Sequence, residues 1–216
     1  LEGSRTTAKN PEKAYAYFQI LDKLDSVIGH YGYGKCLVDG IGCDKNPQQG
    51  MQKLLSAAEK GSVPAMIALG DAYRAQEGYA GMEEAKKWYY EAAKLNDPDA
   101  LVNLSLLHYR RDITSSSDEL ALKYMENALK KGTPKAHYWL GIYYEKGIGT
   151  PKDSKKANKH YQKALDAGVT AAAFKYAICL YDAAKASQNK GKSEKMFAKA
   201  EAMFMEYARY PKHLET

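Results

Sequence analysis

The chain has 216 residues, 45% hydrophobic and 27% charged, with a net charge of +6. That is the balance of an ordinary folded domain, and no apolar run approaches the roughly 20 residues of a membrane span, which excludes a transmembrane helix from this stretch. The three cysteines, Cys36, Cys43 and Cys179, leave at least one thiol outside any intramolecular disulfide and lean toward a reducing compartment.

From the N-terminus, Leu1–Arg5 (LEGSR) reads as a tag remnant, and residues 1–9 as a lead outside the fold. Asn10-Pro11 then opens a helix, a capping side chain followed by proline at the first helical position. Its stripe is Ala14, Phe18 and Leu21. This is the second helix of a pair whose first helix is missing, so residues 10–25 are expected to be a half-repeat, either cut from a longer array or serving as a cap. The next unit, 26–61, repeats the cap-plus-proline signal at Asn46-Pro47, with Gln49 at the offset that completes a capping box. Gly61 supplies a left-handed stop.

The unit 62–96 starts at Ser62 and carries Ala65, Leu69, Gly70 and Tyr73 on one face. Its loop is a residue shorter, with Gly78 and Gly81. The unit 97–132 starts at Asp97-Pro98; Ser105 replaces the glycine of the other units, and the glycine-free loop Arg111–Ser117 is expected to be mobile or specialised. The unit 133–168 starts at Thr133-Pro134 and contains Leu140, Gly141 and Tyr144, the loop glycines Gly147 and Gly149, a cap at Asp153, the face Ala157, Tyr161 and Ala164, and the stop Gly168. A terminal unit, 169–210, continues with Ala172, Tyr176, Ala177 and Leu180. It is expected to have a long polar loop (Ala186–Ser193) and a last helix from about Glu194 to Tyr210, its period slipped. Pro211 then stops it, leaving a tail of 211–216.

These units repeat one another. Leu140–Gly168 lands on Tyr33–Gly61 without a gap when moved back 107 positions. The small residue of the second helix recurs as Ala14, Gly50, Ala85, Ala121 and Ala157, in steps of 36, 35, 36 and 36. A fixed period in this range, with neither helix of a pair able to hide its apolar stripe alone, is the signature of an all-α solenoid. The expected domain is therefore one array over residues 10–210.

The residues Ala136, Leu140, Gly141, Tyr144, Gly147, Gly149, Asp153, Lys156, Ala157, Tyr161, Ala164 and Gly168 follow the pattern A-x3-L-G-x2-Y-x2-G-x-G, D-x2-K-A-x3-Y-x2-A-x3-G. In this the chain resembles the Sel-one-like repeat family, relatives of tetratricopeptide repeats. The resemblance implies a right-handed superhelix of antiparallel helix pairs, first helices on the concave side, and a role as an adaptor. The disulfide-bridged branch of the family, some members of which are linked to β-lactam hydrolysis, has paired cysteines that this chain lacks.

No residue pattern assigns a catalytic, cofactor or metal role. There is no HExxH motif, and His30, His108, His137, His160 and His213 are scattered. His108 replaces an apolar residue of its column. The Gly-Ile-Gly loops follow no strand and precede no Gly-Lys-Ser/Thr, so they read as tight turns. Cys36 reads as a buried apolar residue and Cys43 as the more exposed thiol. By analogy with tetratricopeptide geometry, the first helices present Tyr31, Lys35, Asp71, Arg74, Leu106, Tyr109, Arg110, Tyr138, Ile142, Glu145, Ile178 and Tyr181 as a partner-binding face. The expected partner is a peptide segment or helix of another protein, and the expected role a noncatalytic scaffold. Residues 131–216 hold 16 Lys/Arg against 8 Asp/Glu, so an acidic partner there is a second possibility, and electrostatic binding of RNA or an anionic membrane surface through that half is an alternative role. Nucleic acid is not the expected partner.

Overall fold

The computed structural model describes residues 10–76 and 78–208. The expected lead (1–9), the stop at Pro211, the tail and His213 lie outside the described residues. Among the described residues the chain is helical, without strands. The helices fall into two compact units that part after Ala100.

The first unit holds α1 (Pro11–Lys23), α2 (Val27–Asp39), α3 (Pro47–Glu59), α4 (Val63–Arg74) and α5 (Tyr79–Lys94). Short turns join them, and consecutive helices pack on one another. Leu54, Ala57, Ala65, Leu69 and Ala92 form a buried cluster. α1 has no fully buried residue. Below it, His30 is 6% exposed and bonds Asp22 at 2.6 Å and Asp25 at 2.9 Å. Lys53 pairs with Asp22 (2.8 Å), which compensates that buried carboxylate, and Lys60 pairs with the exposed Asp25 (2.6 Å).

α6 (Pro98–Arg110) crosses the boundary and, from Leu101, opens the second unit. It is followed by α7 (Asp118–Lys130), α8 (Lys135–Lys146), α9 (Ser154–Asp166), α10 (Ala172–Ala186) and α11 (Lys190–Ala208). Leu104, Leu107, Met125, Leu140, Tyr143 and Tyr161 are its large, fully buried side chains.

Side-chain caps recur with the period. Asn10, Asn46, Ser62, Asp97, Ser117, Asp153 and Asn189 each accept a backbone N–H three residues on. The capping box at Asn46 is only half formed. Its backbone N–H donates to Leu37 O at 2.8 Å, so Gln49 Oε1 takes the Asn46 side-chain amide instead, at 3.4 Å. α8 has no side-chain cap; it starts at Lys135, after Thr133-Pro134, whose carbonyls accept the backbone N–H groups of Ala136 and His137.

Helix ends repeat as regularly. Asp25, Gly61, Asn96, Gly132 and Gly168 all have positive φ just beyond a second helix. Asp and Asn are the residues that reach this region at least cost besides glycine. After the first helices, Gly42 and Gly149 have positive φ, and each also lies against the previous second helix. A Cβ there would fall 2.2 Å from Pro11 O and 2.4 Å from Asp118 O, respectively.

Three expectations are corrected. Gly81 is not a loop residue: it sits inside α5, where a Cβ would lie 2.5 Å from Tyr73 O. The glycine-free loop is pinned rather than mobile. Ile113 is buried, Ser117 N–H donates to His108 Nδ1 at 3.2 Å, and Arg111 takes the left-handed conformation (φ 62°) that Gly147 takes in the next unit. The last loop is short, because Ala183 and Lys185 stand where Gly147 and Gly149 would recur, so α10 runs on to Ala186. Asn189, 36 residues after Asp153, then caps α11 from Lys190, and the period has not slipped.

Candidate functional site

In the first unit, Tyr31 and Lys35 come from α2, Asp71 and Arg74 from α4. Tyr31 is half-buried against the core cluster. Lys35 pairs with Asp39 at 2.7 Å. Burial works to lower its ammonium, but the bond to Asp39 and the nearby Asp71 hold it above the usual lysine range. Asp71 accepts the hydroxyl of buried Tyr89 at 2.7 Å and lies 3.6 Å from Arg74. Its carboxylate therefore satisfies the core as well as facing outward.

In the second unit the face is built from α6, α8 and α10. Leu106 and Ile178 are half-buried, Arg110 is exposed, and Tyr181 is 44% exposed with its ring edge-on to Phe197. Tyr109 is half-buried in an aromatic group with Trp139 and Tyr143, and its hydroxyl accepts Lys146 Nζ at 2.7 Å. Tyr138 packs on Trp139 and Tyr161. Ile142 is 6% exposed, so the expectation that it lines an open face does not hold: it is part of the core. Glu145 accepts the hydroxyl of buried Tyr161 and pairs with Lys175 at 3.1 Å. Burial works to raise its carboxyl, but those two partners hold it below the usual carboxylate range.

A cavity of about 350 Å³ opens between α8, α9 and α10. Ile178, Ala157, Ala183 and Ala186 make apolar wall, with Glu145, Lys175 and Asp182 among its polar groups. Lys155 and Asn158 of α9 also line it, a contribution outside the first-helix columns expected from the sequence. The one signal was spacing: Asp182 is one turn beyond Ile178, on the same stripe.

Nothing in this arrangement activates a nucleophile. Cys179, in the cavity wall, is pushed up to about 11 by burial and by the charges of Glu145 and Asp182, so its thiol stays protonated at neutral pH. Burial also raises Cys36 and Cys43, and Cys43 is half-buried, its thiol on Cys36 O at 3.5 Å. His108 is buried and stacked on Tyr124. Among the described residues, no group of three or more His, Cys, Asp or Glu is placed to hold a metal ion, and no helix is long and apolar enough to cross a membrane.

The chain is 27% identical over 188 residues to the uncharacterized protein NMB1327 of Neisseria meningitidis serogroup B, covering 78% of this chain and 39% of that one. It is 31% identical over 121 residues to the chitin synthase regulator SKT5 of Malassezia restricta, covering 53% of this chain and 8% of that one. The chain thus spans well under half the length of either relative. A solved Sel1 repeat protein from Oxalobacter formigenes superposes with a TM-score of 0.71 at 25% identity, over 88% of this chain and 80% of that one. The family model for the Sel1 repeat matches residues 1–20, 27–62, 63–97, 98–133, 134–169 and 170–203. With the repeated caps, left-handed stops and glycine contacts described above, this shows that the chain belongs to the Sel1 repeat family.

Proposed function

We propose that the chain is a noncatalytic protein-interaction module that holds a segment of another protein, a peptide stretch or a helix, on the first-helix face of its second unit. The carrying observation is the cavity between α8, α9 and α10: an apolar wall including Ile178, with Glu145, Lys175 and Asp182 among the groups around it. A partner's apolar side chain would fill the cavity, and the charges would set its register. Arg110 and Tyr181 supply the exposed arginine and aromatic that interfaces favour. Ile142, Tyr109 and Tyr138 support the face from behind. The relative named a chitin synthase regulator is consistent with a regulatory adaptor role.

A photoreactive residue in place of Tyr181 tests this, with another in place of Lys159 on α9 as reference. The expected result is a discrete crosslinked protein at 181, absent at 159 and lost on Ile178→Glu while the helical circular-dichroism signal is kept. Equal labelling at both positions, or labelling indifferent to Ile178→Glu, would overturn the reading.

A second reading has its own support. α9 carries Lys155, Lys156, Lys159 and Lys163, and only Lys156 has an ion-pair partner among the described residues, Asp153 at 3.9 Å. An acidic protein segment would suit this face.

A further inference from the structure

The proposed interaction face leaves one pair of side chains unused. His137 on α8 and His160 on α9 meet through their Nδ1 atoms at 3.0 Å. A bond between two Nδ1 atoms requires one to carry the proton and the other to accept it through its in-plane lone pair, so the two Nδ1 atoms face each other and loss of a single proton leaves two ligating nitrogens side by side. Their rings are tilted, with centroids 5.1 Å apart, and Tyr144 stacks on His160 at 5.4 Å, backing that ring. The pair is not sealed. His137 lines an open cavity of about 560 Å³ with Thr133, Lys163 and Asp166, so solvent can reach it.

We propose that His137 and His160 form a two-histidine binding site for a divalent transition-metal cation that prefers tetragonal coordination, with Cu²⁺ the best fit. The cation would displace the shared proton and sit to one side of the N···N line, bound by both Nδ1 atoms, with water in its remaining positions. Two nitrogens 3.0 Å apart, each about 2.0 Å from one ion, subtend about 95° there. That is close to the right angle of a tetragonal site and narrower than the tetrahedral angle zinc adopts in protein sites. Imidazole suits both metals, and the order of divalent affinities places Cu²⁺ above Zn²⁺. Lys156, Lys159 and Lys163 lie on α9 with His160 and repel a dication, so the affinity is expected in the micromolar range rather than tighter.

The test uses the full chain and aqueous Cu²⁺ in a non-coordinating buffer, followed by visible absorption and electron paramagnetic resonance. One Cu²⁺ with two nitrogen ligands is expected, bound at least tenfold more tightly than Zn²⁺. His137→Gln and His160→Gln should each weaken Cu²⁺ binding at least tenfold while keeping the helical circular-dichroism signal. Should either variant unfold, the unaltered chain still decides: substoichiometric Cu²⁺ must broaden the ring resonances of His137, His160 and Tyr144 before those of His30 and His108. Variants that bind as tightly as the parent, zinc preferred over copper, or broadening that begins at other histidines would overturn the proposal. None of these results bears on the Tyr181 face, which has its own test.

Discussion

Gly141 shows how little room a single side chain has at a helix crossing. A Cβ there would lie 2.5 Å from the ring of Tyr161, and Gly70 stands in the same relation to Tyr89 at 2.4 Å. At the matching place in the unit between them, Ser105 faces Met125 rather than a tyrosine. Its hydroxyl bonds Ala121 O at 2.6 Å and the Tyr143 hydroxyl at 2.8 Å. A ring is one cause of the demand for glycine and close backbone is another: at the same place in the first unit, a Cβ on Gly34 would lie 2.8 Å from Gly50 O. Gly141→Ala should cost about 1–3 kcal/mol in urea unfolding, and adding Tyr161→Met should recover part of that loss. Arg111 presents the opposite case, an L side chain held at φ 62°. Relieving it should outweigh loss of the exposed pair to Asp118, so Arg111→Gly is expected to raise the urea midpoint, by about 0.5–1 kcal/mol.

His160 gives a pH dependence at the same scale. Burial first, then the charges of His137, Lys163, Lys159 and Lys156, push it down to about 4. His137 is also lowered, by burial and Lys163. The unfolded chain thus binds more protons than the folded one between the ordinary histidine range and about pH 4. Stability should rise with pH through that window and fall on acidification, by about 1–3 kcal/mol. His160→Gln should flatten the thermal midpoint over the same window; an unchanged slope would assign the fall to other groups.

Individual helices are bounded by the same few devices. Where Gly147 ends α8 in the left-handed conformation, alanine at 183 lets α10 continue for one more turn. Where Asn189 offers its side-chain oxygen to Lys192 N at 2.9 Å, α11 begins in register with α9. The Ser193 hydroxyl also ties it to Ala184 O at 2.8 Å. Asn189→Ala should therefore destabilise the second unit by about 1 kcal/mol and speed amide exchange first in the opening turn of α11.

Across the molecule, charge divides the two candidate modes of binding. Residues 1–130 hold 16 Lys/Arg against 18 Asp/Glu, whereas residues 131–216 hold 16 against 8. A partner seated in the cavity beside Ile178 should lose little affinity between about 0.05 and about 0.5 M salt, because its anchor is apolar. An acidic partner on the lysines of α9 should lose at least tenfold over that range. A binding titration at both ionic strengths separates the two.

The repeat, the caps and the left-handed stops were legible in the chain itself, because each depends on residues a few positions apart and recurs at a fixed interval. Asn189 stands 36 residues after Asp153, yet it lies inside the polar run Ala186–Ser193, where a cap and a loop residue look alike in sequence. The candidate face was legible only as a set of columns. Tertiary packing decided that Ile142 belongs to the core, that the carboxylates of Asp71 and Glu145 accept tyrosine hydroxyls, and that α9 helps line the cavity. It also decided that two histidines 23 residues apart meet nitrogen to nitrogen. The reason is reach: a cap or a stop is settled within one turn of backbone, whereas these meetings depend on where side chains several ångströms long end when two helices cross, and the spacing of a repeat leaves that open.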